Sequence, residues 1–139
     1  MAIAQMNWGR MRFAQDDPRL AEFMGALDAV YALAEAHPGF LWRIPDADVA
    51  PQLLALGFDD RISATVSVWR NVDDLRDYTF NGQHGMFLDR KAEWFDPVEG
   101  PQLVIWDVED TARPGFAEAF ARLDHLRNHG DSSFARGWG

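Results

Sequence analysis

The eight residues 62–69, ISATVSVW, alternate strictly between two kinds of side chain. Apolar residues occupy one set of positions, Ile62, Ala64, Val66 and Val68, and the other set is Ser63, Thr65, Ser67 and Trp69. Because successive side chains of a strand point to opposite faces, this pattern predicts a half-buried strand whose second face is small, polar and ends in an indole. A strand of this kind needs a sheet around it, and its hydroxyl-bearing face needs a polar or open environment.

Periodicity and capping residues predict the other elements. Three further strands are expected at residues 2–13, 40–44 and 102–108. A first helix starts at the N-cap Asp17 and ends before Pro38, and a last helix runs through RPGFAEAFARLDHLRNHG to Gly130. Between them, Asn71 caps a helix that Gly82 interrupts, and a second helical piece spans about 84–94. Residues 45–61 contain two prolines and no sustained period, so we expect a loop with one helical turn around 53–56.

This order of elements indicates a single α+β domain over residues 1–139. It is a ferredoxin-like alternation, with an antiparallel sheet and helices on one face only. The other face must then be covered, and a second copy of the sheet would do so, which predicts a homodimer that forms a dimeric α/β barrel. Small Ser and Thr side chains favour a ligand cavity over a solid core beside the third strand.

Composition excludes several classes of function. The formal net charge of -9 disfavours binding to nucleic acid or to anionic lipid. The chain has no cysteine, so disulfides, thiolate metal sites and cysteine nucleophiles are excluded. It shows neither a signal-peptide pattern at its start nor an apolar run of membrane-spanning length, so we expect a soluble, cytoplasmic protein without a membrane partner.

The candidate catalytic residues are His84, Asn7 and Trp69. A neutral imidazole at His84 could act as a general base, hold an anionic oxygen or ligate iron, whereas the alternative is an exposed helix cap. Asn7 could stabilise an oxyanion, or its amide could satisfy neighbouring backbone. Trp69 could form a ring wall for a flat ligand, or simply pack, and the same choice applies to Trp42.

The candidate substrate-binding residues share the predicted cavity face or the helices above it. They are Gln5, Arg43, Ser63, Thr65, Ser67, Phe87, Arg90 and Trp94. An inward arginine would select a carboxylate or phenolate, although surface salt bridges are the more usual fate of residues such as Arg43 and Arg90, and only one of the neighbours Arg90 and Lys91 is expected to face inward. His125 and His129 have the i, i+4 spacing of a metal clamp, but His125 falls opposite the apolar stripe of its helix, so no metal is predicted.

Five segments together resemble a bacterial family catalogued as a domain of unknown function, DUF 3291, in the dimeric α/β-barrel superfamily. The segments are AQMNWGRMR, DDPRLAEFMGALDAVYALAEAHPGFLWRI, SVWRNVDDLRDY, HGMFLDRKAEWF and RPGFAEAFARLDHLRNHG. The superfamily includes cofactor-independent monooxygenases acting on aromatic polyketides and haem-degrading monooxygenases. The haem-degrading group is similar in having an Asn on the first strand, a Trp ending the third and a His on the next helix, where this chain has Asn7, Trp69 and His84.

The resemblance implies a small-molecule enzyme of monooxygenase-like type. Its substrate would be aromatic or polyketide-like, and it would work without a tightly bound organic cofactor, by oxygenation, isomerisation or cyclisation. Three alternatives remain: a haem-binding or haem-degrading enzyme, with haem as the cofactor; a binding protein for a small hydrophobic or aromatic molecule that catalyses nothing; and a structural or assembly module, whose sheet face would be packed solid by side chains.

Overall fold

The computed structural model describes residues 1–138, apart from the side chain of Gln83. Its strands are β1 (Ala2–Arg10), β2 (Phe40–Arg43), β3 (Ile62–Trp69) and β4 (Leu103–Val108). Its helices are α1 (Ala21–Ala36), α2 (Asp46–Ala55), α3 (Val72–Phe80), α4 (Gly82–Asp89) and α5 (Phe116–His129). Short 3-10 turns at Pro18–Leu20 and Lys91–Glu93 precede α1 and follow α4.

The four strands form one sheet in the order β2-β3-β1-β4, and every neighbouring pair is antiparallel. This arrangement confirms the predicted α+β class with a ferredoxin-like antiparallel sheet. In the register of β1 on β3, Gln5 pairs with Ser67, Asn7 with Thr65 and Gly9 with Ser63. The polar side chains of two central strands therefore share one face of the sheet.

The opposite face of the sheet carries the main apolar core. Met6, Val66, Val104 and Trp106 on this face are at most 1% exposed. They pack against Leu53 of α2 and against the apolar stripe of α5, whose members are Phe116, Ala119, Leu123 and Leu126. Burial of this apolar area stabilises the fold without a second chain.

Helices therefore cover both faces of the sheet, which corrects the expectation of helices on one face. Helices α1, α3 and α4 lie over the polar face, whereas α2 and α5 cover the apolar one. A second copy of the sheet was expected to cover an exposed face, and the chain's own helices already cover both faces. A homodimer stays a prediction that now requires a different surface.

Helix α2 replaces the loop predicted at this position. Pro51 lies inside the helix, where a proline removes one backbone hydrogen bond. Contacts with α5 offset that loss: Leu53 is buried, and the Gln52 Oε1 atom accepts the Phe116 N–H of α5 at 3.0 Å. The helix therefore depends on tertiary packing that local periodicity does not reveal.

The predicted caps of the other helices are confirmed. Asp17 accepts a hydrogen bond from the Arg19 N–H at the turn that leads into α1. Asn71 accepts one from the Asp74 N–H at the start of α3. Gly82 has a φ of 63°, a conformation that favours glycine, and this residue allows the chain to turn between α3 and α4. Within residues 1–138, no helix is both long and apolar enough to cross a membrane.

Candidate ligand cavity

A cavity of about 650 Å³ lies between the polar face of the sheet and the helices α1, α3 and α4. Its volume falls in the range of small-molecule sites, roughly 300–1,000 Å³. Gln5, Asn7, Ser63, Thr65 and Ser67 all line it. The hydroxyl-bearing face of β3 thus borders a space large enough for a ligand.

Hydrogen bonds organise the polar floor of the cavity into one network. The Gln5 Nε2 atom donates to the Ser67 hydroxyl at 2.7 Å, and the Gln5 Oε1 atom accepts from Asn7 Nδ2 at 3.1 Å. The Ser67 hydroxyl also accepts the Trp69 indole N–H at 2.8 Å. The side-chain oxygen of Asn7, Oδ1, makes no hydrogen bond with the described part of the chain. The half-buried side-chain amide therefore retains this acceptor and one N–H for a ligand.

Aromatic rings form the wall around His84. The Tyr78 ring stacks on Trp69 with centroids 5.2 Å apart, and its other neighbour is the His84 ring, at 4.8 Å. The Tyr78 hydroxyl donates to the Val30 carbonyl of α1 at 3.0 Å, which fixes the ring. Trp69 is only 1% exposed, so it supports the wall mainly through Tyr78.

His84 has a defined tautomer in this arrangement. Its Nδ1 atom lies 2.8 Å from the Thr79 carbonyl oxygen, which can only accept, so Nδ1 carries the proton. The Nε2 atom then keeps its lone pair and makes no hydrogen bond with the side chains that the structure describes, which do not include that of Gln83, while the ring lines the cavity. Burial lowers the pKa of His84 below its ordinary value, and the bond to Thr79 only partly opposes this effect. The imidazole is therefore neutral near pH 7 and able to accept a proton.

Charged side chains are sparse in the cavity. Of the residues described, no Asp or Glu lines it, although the chain has 22 of them. Arg43 lines one side, but its guanidinium is bound to Glu35 at 2.8 Å and to Asp46 at 2.7 Å. Lys91 lines the cavity and is exposed to solvent, so we call its position the mouth; its ammonium is 3.5 Å from the Gln102 Oε1 atom.

The structure brings most of the sequence-predicted site residues together. Phe87 and Trp94 line the cavity, with ring centroids 5.4 Å apart. Arg90 is the exception, because it pairs with Glu22 and Glu93 outside the cavity while the adjacent Lys91 lines it. Trp42 pairs with Val68 and packs against the core on the other face of the sheet.

Sequence reasoning missed three contributions to the site. Tyr78 faces inward from α3 and was interpreted only as a helix residue. Lys91 was considered only as the alternative to Arg90, although it is the only lysine in the chain. The C-terminal segment, which shows no periodicity, also reaches the cavity.

The C-terminal segment closes one side of the cavity. Arg136 exchanges two backbone hydrogen bonds with Ile105 of β4, at 2.7 and 2.9 Å. This pairing places Gly137 and Trp138 on the cavity wall, where the Trp138 ring lies 5.2 Å from Phe80. The Arg76 guanidinium donates to the Trp138 carbonyl at 3.0 Å and holds the segment against α3.

The histidine pair of α5 lies outside the cavity. The His125 and His129 rings are 4.7 Å apart, and Phe134 packs on His125. Across residues 1–138, no set of three or more His, Asp and Glu side chains is grouped as a metal site.

The chain is an α+β protein with a cavity of small-molecule size between its sheet and the helices α1, α3 and α4. It belongs to the family described as "Domain of unknown function (DUF3291)", whose sequence model matches residues 2–139. No curated protein and no solved structure matches the chain.

Proposed function

We propose that the chain is a small-molecule enzyme that removes a proton from a flat, aromatic or polyketide-like substrate, with His84 as the general base. The observation that carries the proposal is the state of His84: a neutral imidazole, fixed through Nδ1, whose Nε2 lone pair is available in an aromatic cavity. A general base near neutral pH needs these properties.

The proposed step breaks one C–H bond next to a carbonyl group and forms one N–H bond at His84 Nε2. The electron pair moves into the carbonyl, which becomes an enolate or phenolate oxygen. The free N–H of Asn7 would donate to this oxygen and stabilise its charge. Return of the proton to another carbon is an isomerisation, attack of the carbanion on a second carbonyl is a cyclisation, and reaction with dioxygen is an oxygenation.

The same cavity supports this chemistry without a carboxylate. Within the described residues, no Asp or Glu lines it, so no fixed negative charge opposes formation of the enolate. The ring of Tyr78, which is supported from behind by Trp69, would hold a flat substrate beside the imidazole. Trp69 thus has an orienting role, and His84 and Asn7 act on the reacting atoms.

Deuterium exchange tests the proton-transfer step before any natural substrate is identified. 2-Tetralone is a flat bicyclic ketone with acidic C–H groups, and its exchange in D₂O is followed by NMR. We expect the protein to accelerate exchange and His84→Ala to slow it by about 100-fold or more, the contribution of a positioned general base. His129→Ala, which removes an exposed imidazole outside the cavity, is the matched control. Equal rates for wild type and His84→Ala would refute the role of His84.

A haem-binding enzyme is the second candidate, and one observation favours it. Histidines that ligate metals usually donate their other ring N–H to a backbone carbonyl or carboxylate, as His84 does to Thr79. His84 Nε2 would hold the iron, and haem would supply oxygen-activation chemistry. Titration with haemin decides between the candidates: a sharp Soret band that His84→Ala abolishes and His129→Ala preserves supports haem, and an unchanged spectrum in His84→Ala removes it.

A protein that binds a ligand without turnover would share the cavity but would not accelerate exchange in 2-tetralone.

We also propose a cytoplasmic homodimer of the dimeric α/β-barrel superfamily. Strand β2 is an edge strand, and Leu41 on it and Leu33 of α1 are 42% and 46% exposed, which suits association. Sedimentation equilibrium tests the dimer, and a monomer at micromolar concentration would contradict it.

A further inference from the structure

The two cations that line the cavity differ in their partners. The Arg43 guanidinium is held by two carboxylates, Glu35 and Asp46, at 2.8 and 2.7 Å. These carboxylates offset its charge, so Arg43 has little left for a ligand. Lys91 forms no ion pair with any residue in the described chain, and its one polar neighbour is the neutral side chain of Gln102.

The Gln102 side chain is uncharged, so it leaves the positive charge of Lys91 unneutralised. Its Nε2 atom donates to the Trp8 carbonyl at 3.3 Å, which leaves its Oε1 atom toward the Lys91 ammonium at 3.5 Å. An amide oxygen at this distance forms at most a weak hydrogen bond. A ligand carboxylate could replace it with a charge-assisted hydrogen bond.

The distance between His84 and Lys91 sets the length of a ligand that reaches both. His84 lies in the first turn of α4, and Lys91 begins the turn that follows the helix. Seven positions separate the two residues, along α4 and its C-cap Arg90, and at the helical rise per residue they span a distance on the order of 10 Å. A molecule of two or three fused rings covers this length, and aromatic side chains such as Phe87 and Trp94 line the space between.

We infer that the cavity takes a flat aromatic acid of two to three rings, whose carboxylate pairs with Lys91 at the mouth while its other end lies beside His84. The inference rests on the proposed function, because it assigns a substrate class to the same cavity. Specificity for an anion comes from the unpaired ammonium and from a lining that contributes no carboxylate of its own within residues 1–138.

Two isosteric probes test this inference by calorimetric titration. 2-Naphthoate carries the carboxylate, and 2-naphthamide replaces it with a neutral amide of nearly the same shape. We expect the wild-type protein to bind the naphthoate about twofold to fivefold more tightly than the naphthamide, because exposed charge pairs contribute modestly. Lys91→Gln should abolish this preference and leave the affinity for naphthamide unchanged.

Arg113→Gln is the matched control for charge. It also removes one positive charge, but Arg113 is exposed and does not line the cavity. It should retain the preference for naphthoate. Labelling with ¹³C at the lysine ε carbon gives a second readout with a single signal, since the chain has one lysine. Naphthoate should shift that signal and naphthamide should not.

The inference is overturned if the wild type binds both probes equally, if Lys91→Gln keeps the preference, or if neither probe binds at millimolar concentration. Exchange in 2-tetralone separates this failure from failure of the proposed function. That ketone is neutral, so its exchange by the wild-type protein tests the general base without an anionic group, and Arg113→Gln, outside the cavity, should exchange it as fast as wild type. Loss of exchange in His84→Ala together with equal probe binding would leave the general base in place and remove only the anionic substrate.

Discussion

The Nδ1 atom of His84 lies 2.8 Å from the carbonyl oxygen of Thr79, although the two residues belong to different helices. The break at Gly82 makes this contact possible, because it turns α4 so that the imidazole meets the last turn of α3. The interruption that makes the helix irregular in sequence is therefore the feature that fixes the orientation of the candidate base.

The buried His84 predicts a pH dependence of stability. Burial lowers its pKa in the folded state below the unfolded value of about 6.5, so the unfolded chain binds a proton first as the pH falls. The stability that the neutral, buried His84 contributes is complete above the unfolded-state pKa of about 6.5. It is lost as the pH falls from about 6.5 through the lowered pKa of the folded state. His84→Gln should flatten this part of the dependence, whereas His129→Gln, at an exposed position, should not. Urea unfolding between about pH 8 and about pH 5 measures the effect.

Gly85 should be intolerant of any side chain. A Cβ atom there would lie 2.5 Å from the Phe80 carbonyl oxygen and 2.8 Å from its carbon, both of which are backbone atoms that cannot move aside alone. Gly85→Ala should therefore separate α4 from α3, cost about 1–3 kcal/mol of unfolding free energy and slow exchange in 2-tetralone by displacing His84.

Gly25→Ala provides the comparison for Gly85. No atom lies within 4 Å of a Cβ at Gly25, which is inside α1. This change should stabilise the protein by up to about 1 kcal/mol, because alanine favours the helix. Equal effects of the two substitutions in thermal unfolding would show that close packing at the α3–α4 junction is not the reason for a glycine at 85.

Ser67→Ala should destabilise the protein more than removal of one hydroxyl suggests. The Ser67 oxygen accepts hydrogen bonds from both Gln5 and Trp69, so alanine would leave two buried donors unsatisfied. The expected loss is about 2 kcal/mol or more. Ser63→Ala on the same face of β3, where the hydroxyl has no side-chain partner within residues 1–138, should change stability by at most about 0.5 kcal/mol. Similar losses in chemical denaturation of both variants would contradict the network.

Trp138 should control ligand release. Its ring closes the cavity beside Phe80, and the segment is held by Arg76 and by Arg136, which pairs with Ile105 through its backbone and with Asp107 through its side chain. Trp138→Ala should raise the dissociation rate of 2-naphthoate severalfold in stopped-flow measurements. Phe134→Ala removes an exposed ring from the same segment at a position that does not line the cavity. Faster release from Phe134→Ala as well would indicate a general loosening of the tail.

The sequence predicted the floor of the cavity well, because strand periodicity fixes which side chains share a face. Once residues 62–69 formed a strand, Ser63, Thr65 and Ser67 had to point the same way, and β1 supplied Gln5 and Asn7 by the same rule. The inward position of these residues is confirmed, and their roles in binding remain predictions.

The helices that cover the sheet were harder to place. The apolar stripe of α5 fits either face, and α2 was hidden by Pro51 and by a short apolar pattern that makes sense only against α5. The positions of Lys91 and Trp138 depend on a 3-10 turn and on a strand-like pairing of the tail, neither of which has a periodic signal. Strand periodicity therefore predicted the residues on the floor of the cavity. The residues around its mouth are positioned by long-range packing, which periodicity does not reveal.

The uneven placement of charge has a kinetic consequence. With a net charge of -9, the protein as a whole repels an approaching anion at long range, while the ammonium at the mouth attracts it at contact. Added electrolyte screens the distant repulsion and the local attraction alike, so capture of an aromatic acid should speed up as ionic strength rises, even as the captured acid dissociates sooner.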